Sequence, residues 1–150
     1  LMATVFLAGS LPIKVLSAEG RKRLDNLIDL GVHFVIGDAP GADTLLQKYL
    51  LFKGYQNVTV YAVGNRVRNN IGGWQVVNVP PDPNALKRDY YVAKDIAMTE
   101  ASDAGFMLWD RVSRGTRNNI LRMIGQGKKV VVVTSSGAYT VATEQDLILI

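Results

Sequence analysis

The chain has no cysteine and a single histidine among its 150 residues. The missing cysteine excludes disulfides, thiolate zinc sites and cysteine nucleophiles. The one histidine, His33, opens an apolar run, so we expect neither a metal cluster nor a Ser-His triad and interpret His33 as a structural residue. Charged residues are only 20% and apolar residues 48% of the chain, which is the composition of a globular protein rather than a disordered one.

Two phosphate-binding motifs are also missing. No GxGxxG follows the first apolar run, and no GxxxxGK with Ser or Thr occurs, so neither the NAD fingerprint nor ATP hydrolysis is supported. We expect no cofactor and no metal. The apolar segment 1–8 is too short to span a membrane and lacks a basic region before it, which favours a strand over a signal peptide. The expected location is cytoplasmic, without a membrane partner.

The segments that are present alternate between short β-rich runs and longer stretches with helical spacing. This alternation, without repeats or linkers, predicts one domain over 1–150: an α/β, Rossmann-like, three-layer fold with a mostly parallel sheet of about five to seven strands flanked by helices. Strands are predicted at 3–8, 33–36, 57–63, 74–79, 104–109, 129–134 and 138–142. Helices are predicted at 17–30, from the turn 37–43 to Gly54, at about 84–101 and at 116–126. Residues 146–150 are predicted to form a short strand or a disordered end.

In an open parallel sheet, ligands bind beyond the carboxyl ends of the strands. Gly9 and Ser10 follow the first strand there. A glycine lets the backbone approach a ligand, and a serine supplies a hydroxyl donor. A plain tight turn is the alternative.

The turn GDAPGAD follows the second strand and contributes Gly37, Asp38, Gly41, Ala42 and Asp43. Its glycines permit unusual dihedrals that aim backbone amides at an anion, and Asp38 is a candidate partner for a ribose hydroxyl. In the simpler alternative, Asp43 only complements the helix dipole.

The segment SRGT, which comprises Ser113, Arg114, Gly115 and Thr116, carries the strongest binding signal. It places two hydroxyls, a glycine and an arginine at a helix N-terminus, where free amides and the dipole favour phosphate. Arg111 and Arg117 flank it and add positive charge. A solvated basic turn is the alternative.

The net charge of +4 is modest and is not concentrated in one run. It therefore favours an anionic small molecule at least as much as a nucleic acid, which is possible as a partner but not favoured. Asp95, Glu100, Asp103 and Asp110 are candidates for general acid or base chemistry, although most helix carboxylates are simply solvated.

The segments VFLAGS, GDAPGAD, KDIAMTEASDAGFMLWD and SRGTRNNI resemble the SLOG superfamily. This is the Rossmann-like group that contains cytokinin-releasing phosphoribohydrolases and bacterial DNA-processing proteins, and its YpsA-related branch is the most similar. The resemblance covers roughly residues 5–133. It implies nucleotide binding and a homodimer formed through helices that flank the site.

A related resemblance is to nucleoside deoxyribosyltransferases and deoxynucleoside 5′-monophosphate N-glycosidases. In these enzymes a helix Asp, a phosphate-binding Ser and a nucleophilic Glu correspond to Asp95, Ser113 and Asn119. The phosphoribohydrolases have an Arg where this chain has Lys94. Because Asn cannot form the glycosyl ester that a carboxylate forms, the resemblance implies the anion-binding half of that site without its usual nucleophile.

We therefore expect a nucleotide sensor or carrier as the first function. An N-glycosidase or transferase is the alternative, with Asp95, Asp110 or Asn119 as catalytic candidates. A nucleic-acid-binding protein is the third.

Overall fold

The structure is a computed structural model that describes residues 3–150. Residues 1 and 2 of the predicted 1–150 domain lie outside the described residues. The strands are β1 Thr4–Gly9, β2 His33–Gly37, β3 Val58–Val63, β4 Gln75–Val79, β5 Ala104–Leu108, β6 Val130–Thr134 and β7 Gly137–Val141. The α-helices are α1 Ala18–Asp29, α2 Ala42–Phe52, α3 Val92–Ala101, α4 Arg114–Gly125 and α5 Glu144–Ile148.

The strands form one sheet in the order β4-β3-β2-β1-β5-β6-β7. All pairs are parallel except β6 and β7, which are antiparallel. The predicted Rossmann-like α/β fold with a mostly parallel sheet is therefore confirmed. Strand β1 lies between β2 and β5, so the strand order reverses there, and this reversal creates the crevice in which such sheets bind ligands.

The two faces of the sheet carry separate apolar layers because side chains alternate along each strand. In β1, Val5 and Leu7 face one layer, whereas Phe6 and Ala8 face the other. Helices α1 and α2 cover the first layer, and α3, α4 and α5 cover the second. The helix residues at these interfaces are Leu24, Leu46 and Leu50 in the first layer and Met98, Ile120, Met123 and Leu147 in the second.

Several local predictions are also confirmed. Ser17 caps α1 by accepting a hydrogen bond from the amide of Gly20 at 3.1 Å. Gly31, Gly54 and Gly127, each just after a helix, have positive φ. His33 hydrogen-bonds to side chains of the neighbouring strand segment through both ring nitrogens, which is the structural role expected of it.

The predicted helix at 84–101 is wrong in its first half. The segment forms a turn at Asp82, a short 3-10 helix at Lys87–Asp89, and then α3 from Val92. Asp82 accepts a hydrogen bond from the amide of Asn84, which favours a turn over a helix. Most of 81–91 is exposed, so no buried face stabilises a longer helix there.

The prediction for residues 146–150 is also wrong, because most of this segment belongs to helix α5. Thr143 and Asp146 form a reciprocal capping box at its start. Leu147 is buried in the second apolar layer, which holds the helix against the sheet. Among residues 3–150, no helix has both the length and the apolar character needed to cross a membrane.

Candidate functional site

A cavity of about 380 Å³ opens at the switch point between β1 and β5, and we call it the switch-point cavity. It lies on the α3 and α4 side of the sheet, with Phe6, Ala8 and Met98 as its apolar floor. Its volume falls within the range of small-molecule sites, roughly 300–1,000 Å³. The polar and charged side chains that line it are Ser10, Asp43, Arg68, Arg88, Tyr91, Lys94, Asp95, Ser113, Thr116 and Asn119.

The N-terminus of α4 forms one wall of this cavity. Ser113 is the residue before the helix, and its side chain makes no capping bond to the helix amides. Among the described residues, the amides of Arg114, Gly115 and Thr116 have no acceptor, because the first intrahelical bond is donated by Arg117 to Ser113. These three donors lie at the positive end of the helix dipole.

Two hydroxyls join this wall to the loop after β1. The Oγ atom of Ser10 lies 3.2 Å from the Oγ1 atom of Thr116, and both residues are buried and line the cavity. Ser10 also accepts a hydrogen bond from the amide of Asp110 at 3.2 Å. The loops after β1 and β5 are thereby connected at the helix start.

The carboxylate of Asp110 stabilises the turn between β5 and α4. Its Oδ1 accepts from the amides of Val112 and Ser113, and its Oδ2 accepts from the Ser113 hydroxyl at 2.7 Å. Desolvation acts to raise the pKa of Asp110, but the hydrogen bonds from Ser113 and Val112 outweigh it and lower the pKa to about 2. The carboxylate therefore stays ionised at neutral pH. It accepts hydrogen bonds from the amides of Val112 and Ser113, which lie just before the helix.

The opposite wall contains the carboxyl group of Asp43, the second residue of α2. Asp43 is buried, and its Oδ2 atom accepts a hydrogen bond from the amide of Ala39 at 3.1 Å. The pKa of Asp43 is raised to about 6, with burial as the main cause. The carboxylates of Asp95 and Asp38 also act to raise this pKa, whereas Lys94 and the hydrogen bond from Ala39 act to lower it. This carboxyl can therefore exchange a proton near neutral pH.

Gly37 makes room for this arrangement. A Cβ atom on Gly37 would lie 2.5 Å from Asp43 Oδ2 and 3.1 Å from Lys94 Nζ. Its φ is not positive, so the sequence-based reason for this glycine, an unusual dihedral, is wrong. That reason holds for Gly41, which has a φ of 81°.

Lys94 lies beside Asp43 and projects from α3. Its Nζ donates a hydrogen bond to Asp95 Oδ1 at 2.8 Å, and the lysine is only 5% exposed. Burial acts to lower the pKa of Lys94, but the carboxylates of Asp95 and Asp43 outweigh burial and hold the pKa above its ordinary value. The ammonium group therefore remains charged inside the cavity wall.

An ion pair fixes the loop between β3 and β4 at the cavity. Arg68 donates to the fully buried Asp38 from its side-chain Nη2 at 2.8 Å and from its own backbone amide at 2.9 Å. Its guanidinium carbon lies 3.5 Å from the centre of the Tyr91 ring. Asp38 is thus committed to Arg68 and does not line the cavity.

Asn119 lies one turn into α4 and is 6% exposed. Its Oδ1 accepts from Arg122 Nη1 at 2.7 Å, so the amide nitrogen points away from that arginine. Among residues 3–150, this Nδ2 donates no hydrogen bond. Since Asn119 lines the cavity, the unused donor is available to a ligand.

The structure brings most of the sequence-based candidates together. The candidates that line the cavity are Gly9, Ser10, Asp43, Lys94, Asp95, Ser113, Gly115, Thr116 and Asn119. Those that do not are Gly37, Asp38, Gly41, Ala42, Glu100, Asp103, Arg114 and Asp110. Arg111 and Arg117, expected to flank the site, instead line a separate cavity of about 270 Å³ beside α5.

The small residues outside the lining have packing roles. Gly41 lies against the backbone of Leu11, where a side chain would meet the Leu11 carbonyl oxygen at 2.4 Å. Ala42 packs under Gly9, whose missing Cβ would lie 2.7 Å from the Ala42 Cβ. The glycine at the end of β1 therefore permits close packing of α2, although its backbone still borders the cavity.

Sequence reasoning missed Arg68, Arg88 and Tyr91 as lining residues. Arg68 lies in the 64–73 loop after β3, which also begins at the carboxyl edge of the sheet. The rule that ligands bind beyond the carboxyl ends of parallel strands, applied to this loop, would have identified Arg68 as a candidate. Arg88 and Tyr91 come from the segment that was predicted as helix.

Fold and site define a Rossmann-like α/β domain with a charged, partly buried cavity at its switch point. In the part of the chain that the structure describes, no group of three or more His, Asp or Glu side chains is arranged to hold a metal ion. The sequence matches no protein-family model and no curated protein.

Proposed function

We propose that the chain binds a nucleotide or a nucleotide-derived sugar phosphate in the switch-point cavity, as a sensor or carrier. One observation carries this proposal: the backbone amides of Gly115 and Thr116 at the start of α4 are unused, and both residues line the cavity beside the hydroxyls of Ser10 and Thr116. Amides at a helix N-terminus and adjacent hydroxyls are the donors that bind phosphate in many α/β proteins.

The position of Asp110 determines which backbone amides remain free for a phosphate. Its carboxylate already accepts from the amides of Val112 and Ser113. We therefore propose that the phosphate binds the next amides, those of residues 114–116, where it would be farther from the negative charge. The resemblance to the SLOG superfamily supports the same ligand class.

A ligand panel tests the proposal by thermal unfolding. The panel contains inorganic phosphate, ribose 5-phosphate, nucleoside mono- and diphosphates, cyclic nucleotides and ADP-ribose. A ligand at one hundred times its Kd stabilises the folded state by about 2.7 kcal/mol. For a domain of this size, that raises Tm by roughly 5–10 °C.

Two variants locate the binding. Thr116→Val removes a hydroxyl that lines the cavity, and Ser113→Ala removes the hydroxyl that donates to Asp110, which leaves that carboxylate freer to repel a phosphate. Both variants are expected to weaken the binding of any ligand that raises Tm. Thr140→Val, at an exposed position on the edge strand β7, is the matched control and leaves affinity unchanged. Absence of stabilisation by the entire panel at millimolar concentration contradicts the proposal.

A second candidate function is hydrolysis of an N-glycosidic bond. It is favoured by the presence of two unlike carboxyl groups in one cavity: Asp43, with a pKa of about 6, and Asp95, paired with Lys94. Such pairs divide the acid and base roles in glycoside hydrolysis. Incubation with the ligand identified above, followed by chromatography for the free base, separates this enzyme from a binding protein.

A further inference from the structure

The proposed function leaves unexplained three charged groups on the wall opposite α4. We call Asp43, Lys94 and Asp95 the carboxylate-lysine cluster. Two of them are deeply buried: Asp43 is 7% and Lys94 5% exposed. Burying a charged group lowers the stability of the fold unless hydrogen bonds to that group compensate for the lost hydration.

The protein uses only part of that capacity. Within residues 3–150, the three side-chain heads make two hydrogen bonds: Lys94 Nζ to Asp95 Oδ1, and the amide of Ala39 to Asp43 Oδ2. One oxygen of each carboxylate and two hydrogens of the ammonium group have no protein partner.

These unused atoms are accessible from the cavity. Among the described residues, every fully buried side-chain nitrogen or oxygen has a hydrogen-bond partner. The partnerless oxygens of Asp43 and Asp95 are therefore not sealed inside the protein, and both residues line the switch-point cavity. Together with Lys94 they present two acceptors around one donor.

A pair of neighbouring hydroxyls complements this pattern. Each hydroxyl donates one hydrogen bond and accepts others, so two of them satisfy both carboxylates and still accept from the ammonium group. A second phosphate offers only acceptors and is repelled by the carboxylates. A base amino group offers only donors and leaves the lysine hydrogens unused.

We propose that the carboxylate-lysine cluster binds the 2′,3′-diol of a ribose, so that the ligand is a ribonucleotide or ribose phosphate rather than a 2′-deoxy compound. This inference rests on the proposed function, because the phosphate at α4 sets the other end of the ligand. Asn119 Nδ2, the unused donor on α4, is available to the sugar or base.

The test compares ligands that differ by one hydroxyl. Isothermal titration calorimetry at pH 7.5 measures ribose 5-phosphate against 2-deoxyribose 5-phosphate, and each nucleoside 5′-monophosphate against its 2′-deoxy counterpart. A hydrogen bond to a charged group contributes enough to expect at least about tenfold tighter binding of the ribo compound.

Variants assign the preference to the cluster. Of Asp95→Asn and Asp43→Asn, the variant at the carboxylate that binds the 2′-hydroxyl is expected to reduce the ribo preference to about twofold while leaving the affinity for the deoxy compound nearly unchanged. The other variant is expected to weaken both compounds, because the deoxy compound keeps its 3′-hydroxyl. Asp29→Asn, at an exposed position on α1, is the matched control and retains the preference. Thr116→Val weakens both compounds equally, since it acts at the phosphate end.

The outcomes separate this inference from the function on which it rests. Equal affinity for ribo and deoxy compounds, with both weakened by Thr116→Val, overturns diol binding and leaves phosphate binding intact. Binding of neither compound overturns both. The wild-type comparison decides the question even if Asp43→Asn does not fold.

Discussion

The hydroxyl of Ser10 lies 3.2 Å from that of Thr116, although the two residues are 106 positions apart in the chain. This contact joins the end of β1 to the start of α4 across the point where the strand order reverses. Both residues are buried, so the pair contributes to stability as well as to the cavity wall.

Replacing one member of this pair tests both roles. Thr116→Val is expected to lower the free energy of unfolding by about 1 kcal/mol, because the Ser10 hydroxyl loses a buried partner. The measurement is urea unfolding followed by circular dichroism. Thr140→Val, exposed on β7, supplies the comparison and should change stability by less than about 0.5 kcal/mol. Equal effects of the two variants argue against a contribution from the buried pair.

Gly37→Ala tests whether this glycine is needed for space. The added methyl would contact the carboxylate of Asp43 at 2.5 Å, and overpacking of this kind costs about 1–3 kcal/mol. Gly125→Ala, in α4 with nothing within 4 Å of its Cβ position, is the matched control. We expect the control to stabilise the protein by up to about 1 kcal/mol, since alanine favours helix. Thermal unfolding of both variants measures the difference in their stability. An unchanged Tm for Gly37→Ala would contradict the prediction that this position has no room for a methyl group.

The pH dependence of stability tests the environment of Asp43. Its pKa is about 6 in the folded chain against 3.8 ordinarily, so the folded state binds the proton more tightly. The free energy of unfolding therefore falls as pH rises from about 4 to about 6, by up to roughly 3 kcal/mol from this group.

Comparison with Asp43→Asn isolates this contribution. Urea unfolding between pH 4 and pH 7 should show a steeper decline for the wild type than for the variant. Asp29→Asn, at an exposed position, should follow the wild type. Parallel curves for wild type and Asp43→Asn would show that Asp43 titrates normally.

The ion pair between Arg68 and Asp38 provides another test. Arg68→Ala leaves the Asp38 carboxylate buried without its charged partner, which is expected to cost about 3–5 kcal/mol. The double variant Arg68→Ala with Asp38→Asn should recover part of this loss because the buried charge is removed. Arg66→Ala, exposed in the same loop, is the control. Chemical unfolding of the wild type, Arg68→Ala, Asp38→Asn and the double variant gives the coupling energy, and strictly additive losses would exclude a coupling.

Patterns along the chain were sufficient for the fold class. The alternation of apolar runs predicts the strands, and the carboxyl-edge rule directs attention to the segments around Ser10, Asp43 and Ser113, which line one cavity in the structure. The strand predictions follow from local sequence because a buried face requires apolar residues at regular intervals along the chain. Thr143 and Asp146 carried an equally local signal for α5, and overlooking it made the prediction for the end of the chain wrong.

Other features depend on residues that are distant in sequence. Nothing near Asp38 indicates that it pairs with Arg68, thirty positions later. Nor does the local sequence indicate that Arg111 and Arg117 line a separate cavity beside α5. The close approach of both Asp43 and Lys94 to Gly37 likewise arises only when α2 and α3 dock on the sheet.

The sequence by itself therefore determined the order of strands and helices, the caps that begin and end them, and the helix N-terminus proposed to receive a phosphate. Each of these follows from interactions within a few residues. Only the tertiary structure decided which charges lie inside the cavity and which pair elsewhere. That choice depends on desolvation and on distances between separate elements, and these exist only after the layers have packed.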